Sequence, residues 1–105
     1  MVKKEYYPYN SDKADKKYYI ITKTGRKVYF GAAGMNDFIS YCKSLTPDEA
    51  YKKRQAYIAR HKKNEDWENP DTAGYWSRWL LWSYQTIKES YEHIKKDLKK
   101  KGYIT

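Results

Sequence analysis

The residues best suited to chemistry lie close together near the middle of the chain: Arg60, His61, Glu65 and Asp66. His61 has the properties of a general base and Glu65 or Asp66 those of its orienting acid, as in a one-metal nuclease or a phosphotransfer site. A complete site also needs a nucleophile and an electrophilic stabiliser, and only fragments of such a set are visible. His61 and His93 are the only histidines, and no spacing of Cys and His fits zinc. We therefore predict no enzyme, no metal and no cofactor, and keep a small metal-dependent nuclease as a third alternative.

The preferred interpretation of Arg60 is structural. An acidic loop at residues 64–71 follows directly after a predicted basic helix end. Basic side chains near a helix C-terminus and carboxylates just beyond it compensate each other's charge. We expect Arg60 to form an ion pair with Glu65 or Asp66 that ties the helix end to the loop.

A large positive charge is the strongest indication of a partner. The chain of 105 residues has 22 Lys and Arg against 13 Asp and Glu, a formal net charge of +9. Such a charge favours nucleic acid, acidic protein surfaces or anionic lipid, and does not choose among them. The candidate residues for binding nucleic acid or a protein partner form three basic groups: Lys23, Arg26 and Lys27; Lys62 and Lys63; Lys99, Lys100 and Lys101.

Length and composition predict one small domain in a reducing compartment. A chain of this length supports one modest core. Cys42 is the only cysteine, which excludes an intramolecular disulfide. No apolar run approaches the ~20 residues of a membrane span, and the first residues lack the apolar stretch of a signal peptide. We expect a soluble protein that is not secreted by a signal peptide.

The first third of the chain predicts an arm followed by a β-hairpin. Residues 1–15 are polar and broken by Pro8, so we predict an arm without regular structure whose tyrosines could pin it to a partner or to its own domain. Residues 16–22 and 27–30 are rich in β-branched and aromatic side chains around a glycine-containing turn. Alternation places four side chains on the inner face: Tyr19, Ile21, Val28 and Phe30. The small residues at 31–34 would let another segment approach closely.

The remainder predicts helices with clear caps. Asn36 or Asp37 could cap a short helix, and Thr46 followed by proline and two acids is a strong helix start. Thr72 is a plausible cap of an aromatic helix, and Gly102 a natural stop for the last one. The predicted fold is therefore α+β, an N-terminal hairpin packed on three to four helices. We divide it into an arm (1–15), one domain (16–101) and a tail (102–105).

Three of the four tryptophans lie in the predicted aromatic helix. With a period of 3.6 residues, Tyr75, Trp79 and Trp82 share one face, which Trp76 and Leu80 widen. Such spacing favours a packed core, while a platform for stacking bases and a protein-docking surface remain open alternatives. We expect cation–π contacts from the arginine in this helix. The predicted structural core is Trp67, Tyr75, Trp76, Arg78, Trp79 and Trp82.

Several strings of residues resemble a known family. Residues 16–34, the run at 53–61 ending in Arg-His, the Asn-Glu-Asp-Trp at 64–67 and the Thr-Ala-Gly-Tyr-Trp-Ser-Arg-Trp beginning at Thr72 carry the likeness. Together they resemble an uncharacterised family of small basic proteins from large double-stranded DNA viruses of algae and protists, over about residues 16–93. The chain departs from the family in having Gln85-Thr86 where a Pro-Thr pair is usual, and in extra residues at 38–46. The resemblance implies a viral origin and no particular activity.

Charge, resemblance and the incomplete catalytic set together favour a non-enzymatic viral structural protein. We expect a minor capsid or virion-associated component that binds other virion proteins or packaged DNA. The alternative is a nucleic-acid-binding accessory protein of the infected cell. The expected location is the virion or the cytoplasm or nucleus of the host cell.

Overall fold

The computed structural model describes residues 3–105, and it confirms the predicted α+β class. An antiparallel sheet of order β1-β2-β3 is formed by Tyr9–Asn10, Lys16–Ile21 and Lys27–Ala32. The helices that follow are α1 (Phe38–Ser44), α2 (Pro47–His61), the short α3 (Ala73–Trp76), which continues as a π-helical turn (Ser77–Leu81), and α4 (Ile87–Lys101).

The hairpin of β2 and β3 packs one face on the helices. Tyr18 pairs with Phe30 and Ile20 with Val28, so these four side chains share the face that enters the core. The predicted inner face is right for β3 and wrong for β2, where Tyr19 and Ile21 lie on the opposite side. Residues 18–21 are all aromatic or aliphatic, so alternation does not determine the phase of this strand; its pairing with β3 does.

The N-terminal segment contributes a short strand to the sheet, and the prediction of an arm without regular structure is wrong at Tyr9–Asn10. Tyr9 pairs with Tyr19 in β1, and the Tyr6 backbone N–H donates to the Ile21 carbonyl at 2.9 Å. The Tyr6 side chain is 1% exposed, and its hydroxyl donates to Asp71 Oδ1 at 2.6 Å. This segment packs its tyrosines against the edge of the hairpin. Of the two roles predicted for them, contact with their own domain is the one that the structure shows. Met1 and Val2 lie outside the described residues.

The predicted tail also packs on the domain. Gly102 ends α4 in the left-handed conformation, with a φ of +83°, and the Tyr103 N–H donates to the Leu98 carbonyl at 2.8 Å. The ring of Tyr103 meets that of Tyr6 edge-to-face at 5.5 Å. The segments around Tyr6 and Tyr103 are thereby held together beside the turn between β2 and β3.

Trp76 lies at the centre of the core and is fully buried. Its indole Nε1 donates to the Pro70 carbonyl at 2.9 Å, which satisfies its only polar atom. Tyr75 is buried beside it, whereas Trp79 and Trp82 are half-buried against the core. Trp67 is half-buried outside the core cluster.

The π-helical turn explains why the predicted tryptophan stripe is divided. A π turn holds more residues than an α turn, so it shifts the side chains that follow it around the helix axis. Leu80 and Leu81 enter the core, and Trp79 and Trp82 lie at its edges. The turn is closed by Ser83, whose hydroxyl donates to the Arg78 carbonyl at 2.6 Å and accepts from Arg78 Nη1 at 2.5 Å.

Candidate nucleic-acid and partner interface

The turn of the hairpin lies against the C-terminal end of α4. Lys23 Nζ donates to the Gly102 carbonyl at 3.1 Å and lies 5.0 Å from the centre of the Tyr103 ring. Arg26 Nη2 donates to the Asp71 carbonyl at 3.0 Å. Lys23, from one predicted basic group, therefore contacts Gly102, the residue that directly follows another, 79 residues later in the chain. We call this the tip–helix cluster: Lys23, Arg26, Lys99, Lys100 and Lys101.

Lys101 plays a structural role in this cluster. Its ammonium lies 3.0 Å from Asp97 Oδ2 and 3.4 Å from Glu68 Oε1. Partial burial would raise the pKa of Asp97, but the hydrogen bonds from Tyr75 and Lys101 outweigh it and hold that pKa below its ordinary value. Lys99 and Lys100 are exposed and have no ion pair with any residue from 3 to 105. Their charge is available to a partner.

The other predicted basic residues lie apart from the cluster. Lys27 points to the outer face of the sheet, where its ammonium is 3.5 Å from Asp12 Oδ2 and 4.9 Å from the centre of the Tyr19 ring. Lys62 and Lys63 are exposed just beyond the end of α2. The predicted interface is thus three separate groups rather than one surface.

A row of tyrosines crosses the outer face of the sheet, and the sequence did not reveal it. Tyr9, Tyr19 and Tyr29 are neighbours on β1, β2 and β3, with ring centres 5.8 and 5.4 Å apart. Tyr19 is covered by its neighbours, whereas the outer two rings are half-exposed. Lysine ammoniums lie over all three rings: those of Lys3, Lys13 and Lys27. We call these three tyrosines the tyrosine face. The pairing of β1 with β2, which the sequence alone did not indicate, creates it.

The predicted ion pair of Arg60 with Glu65 or Asp66 does not form. Glu65 Oε1 lies 3.4 Å from His61 Nδ1, and its Oε2 accepts from Trp67 Nε1 at 3.0 Å. Asp66 accepts from a backbone N–H in its own loop at 2.9 Å. Arg60 is exposed and has no ion pair within residues 3–105. Glu65 lies in the loop beyond α2 and contacts His61, the last residue of that helix, whereas Arg60 points about 100° away from His61 around the helix axis.

His61 and Glu65 line an open cleft of about 290 Å³ between the end of β3, the end of α2 and the π-helical turn. On its β3 side, Lys17 Nζ contacts Asp37 Oδ2 at 2.7 Å. On its α2 side, the Tyr57 ring stacks on Trp82 at 4.4 Å and on His61 at 4.5 Å. We call this the α2 cleft. Within the described residues, no three His, Cys, Asp or Glu side chains are grouped to hold a metal.

Arg78 lies behind this stack, as predicted for a cation among tryptophans. Its guanidinium carbon is 4.5 Å from the centre of the Trp79 ring and 5.4 Å from that of Trp67. Burial lowers the pKa of Arg78, and Arg54 nearby lowers it further. The two arginines meet at Ser83, whose carbonyl accepts from Arg54 Nη1 at 2.9 Å. Arg78 therefore stabilises the π-helical turn instead of lining an accessible surface.

Comparison of the chain with protein-family models, curated proteins and solved structures finds no match. The resemblance to the viral family therefore stays a prediction. In the described part of the chain, no helix has the length and apolar composition needed to cross a membrane.

Proposed function

We propose that the protein is a non-enzymatic polyanion-binding protein, and that in the viral setting implied by its resemblance it is a minor capsid or virion-associated component. Its ligands would be packaged DNA or acidic surfaces of other virion proteins. One observation carries the proposal: the tip–helix cluster places Lys23 beside a helix end whose Lys99 and Lys100 have no ion pair among residues 3–105.

The hairpin side of the cluster suits phosphate because Lys23 and Arg26 are held in place before any ligand arrives. The contacts of Lys23 with Gly102 and of Arg26 with Asp71 join the hairpin turn to the helical part of the chain. An ammonium has three N–H donors, so Lys23 retains two for a phosphate or carboxylate. A pre-organised basic surface loses less conformational entropy on binding than a mobile one.

Salt dependence tests the proposal directly. Fluorescence anisotropy with a labelled DNA duplex should give an affinity that falls linearly in a log–log plot against salt, because each contact releases counterions. Replacing Lys99 and Lys100 together by alanine should make the slope less steep by roughly 1.8, about 0.9 per contact. The matched control replaces Lys43 and Lys52, which are exposed lysines of α1 and α2, and should leave the slope unchanged.

Two results would count against this assignment. An equal reduction of the salt slope in both double variants would show that net charge, and not the cluster, attracts the duplex. An absence of binding even at low salt would remove DNA and leave acidic proteins as the ligand. Mass spectrometry of purified virions tests the virion role, which predicts copies of the chain in the particle.

The tyrosine face favours a second candidate, a nucleic-acid-binding accessory protein that acts on single strands. Half-exposed aromatic rings with lysines above them can stack bases and contact the backbone. This candidate predicts that a single strand competes better than a duplex of equal length, and that Tyr29→Ala removes the preference. A duplex preference in the wild type would exclude it.

A further inference from the structure

Tyr57, which lines the α2 cleft, has a buried polar atom without a partner in the described part of the chain. Tyr57 is 5% exposed, and its hydroxyl is buried without a hydrogen-bond partner anywhere in residues 3–105. Leaving a buried hydroxyl unpaired costs roughly 1–3 kcal/mol, so most buried hydroxyls have a hydrogen-bond partner. Burial, with Glu65 nearby, raises the pKa of Tyr57 above its ordinary value. The hydroxyl is therefore neutral and able to donate a hydrogen bond.

The walls of the cleft combine flat rings with charges of both signs. Trp82 and Tyr41 supply aromatic surface, with ring centres 6.1 Å apart at an angle of 54°. The Lys17–Asp37 and His61–Glu65 pairs supply donors and acceptors on opposite sides. Such a set suits the edge of a heterocycle, which also carries donors and acceptors side by side.

Arg60 adds one unpaired cation to this set. It lines the cleft, is exposed, and has no ion pair within the described residues. A guanidinium at the mouth of a cleft is well shaped to bind a phosphate through two parallel hydrogen bonds. The single unpaired charge favours one phosphate group rather than a polyanion.

We infer that the α2 cleft binds one nucleotide, with its base against the Trp82 wall, a base or sugar oxygen accepting from the Tyr57 hydroxyl, and its phosphate at Arg60. A volume of about 290 Å³ is just below the lower limit of small-ligand sites, roughly 300 Å³, so the nucleotide would fill the cleft. An inorganic anion alone fits less well, because two carboxylates line the same cleft. The nucleotide is either free or an unpaired unit of a strand. This inference does not depend on DNA binding by the tip–helix cluster.

The test is a titration with the four ribonucleoside 5′-monophosphates, ribose 5-phosphate and inorganic phosphate, followed by isothermal calorimetry and by tryptophan fluorescence. A second arm uses a short duplex with one unpaired base and the same duplex with an abasic position. Binding of a monophosphate identifies the free nucleotide. Binding of the unpaired-base duplex, weakened at the abasic position, identifies a unit of a strand.

Tyr57→Phe is the decisive variant, because it removes only the unpartnered hydroxyl. It should bind about 3- to 10-fold more weakly, as expected for one hydrogen bond, while its unfolding midpoint stays equal to or above that of the wild type. The matched control is Tyr51→Phe on the same helix, where the hydroxyl is exposed and bonded to Gln55. The control should leave the affinity unchanged. Arg60→Ala should weaken every phosphate-bearing ligand.

Three results would overturn the inference. The first is no binding of any nucleotide or of the unpaired-base duplex at millimolar concentration. The second is ribose 5-phosphate or phosphate binding as tightly as the monophosphates, which would remove the role of the base. The third is equal affinity of Tyr57→Phe and the wild type. Duplex binding through Lys99 and Lys100 would be unaffected by any of these, so the two proposals can fail separately.

Discussion

Replacement of Gly31 by alanine tests the contact between β3 and the π-helical turn. Gly31 has a φ of +78°, and an added Cβ would lie 2.9 Å from Leu81 Cδ1 and 3.2 Å from Lys17 Cβ. Favourable contacts between carbon atoms are about 3.5–4.0 Å. Leu81 is 2% exposed and cannot easily turn aside. The variant must therefore shift the turn or push β2 away.

Two costs contribute to the expected loss of stability. The left-handed backbone costs a residue with a Cβ about 1–2 kcal/mol relative to glycine. Inserting a methyl group into a packed region costs about 1–3 kcal/mol more. Gly34 has a φ of +82° but nothing within 4 Å of an added Cβ, so Gly34→Ala should be destabilised only by the cost of the left-handed backbone. The difference between the two variants, about 1–3 kcal/mol, measures the packing alone.

Urea unfolding followed by tryptophan fluorescence measures both variants, with free energies from linear extrapolation. We expect Gly31→Ala to unfold at a clearly lower urea concentration than Gly34→Ala, with a similar slope for each. A difference below about 0.5 kcal/mol would refute the close approach of Leu81, because surface substitutions already vary by that amount. Equal stability of Gly34→Ala and the wild type would refute the conformational cost as well.

Three further predictions concern the core and its margin. Burial raises the pKa of Tyr57 and Tyr75 in the folded chain. Their ionisation therefore leaves the free energy of unfolding unchanged below the unfolded pKa of about 10 and lowers it above that pH, by up to about 1.4 kcal/mol per pH unit for each group. Urea unfolding from pH 9 to 11.5 should show this loss, and it should be smaller in Tyr75→Phe. The lowered pKa of Asp97 means that its stabilising effect is present above about pH 4 and is lost as pH falls through the folded pKa. Asp97→Asn should therefore be less stable at pH 7, and thermal melts should show the difference shrinking as the pH falls below about 4. Trp76→Ala should cost about 3–5 kcal/mol in the same melts, because the indole is fully buried; a loss no larger than that of Trp67→Ala would contradict its place in the core.

The helix boundaries could be predicted because they depend on residues that are close together in the sequence. The Thr46 hydroxyl accepts from the Glu49 N–H, and the Glu49 carboxylate accepts from the Thr46 N–H, three residues apart. Gly102 takes the left-handed conformation that its position after a lysine-rich helix end indicates. The α+β class follows from these local signals together with the hairpin turn.

The course of the N-terminal segment could not be predicted, because it depends on distant partners. Tyr6 is held by Asp71, 65 residues later in the chain, and by the backbone of β2. No local pattern marks a polar segment with scattered tyrosines as a strand. The same reason applies to the tip–helix cluster. The sequence shows the basic hairpin turn and the basic end of α4, but not the contact of Lys23 with Gly102 that joins them.

The α2 cleft shows why a helical stripe does not by itself identify a core. Tyr57 and His61 lie on the stripe of α2 that would be expected to pack inward, and Tyr57 is indeed buried. Yet Trp82, which directly follows the π-helical turn, stacks on the Tyr57 ring at the edge of the core. A tyrosine that only filled space would leave its hydroxyl in water or bonded to a neighbour. The unpartnered hydroxyl of Tyr57 is one reason for the ligand site that we infer, and the effect of Tyr57→Phe on stability tests it. This substitution should be neutral or favourable, whereas removal of a bonded hydroxyl such as that of Tyr75 should be unfavourable.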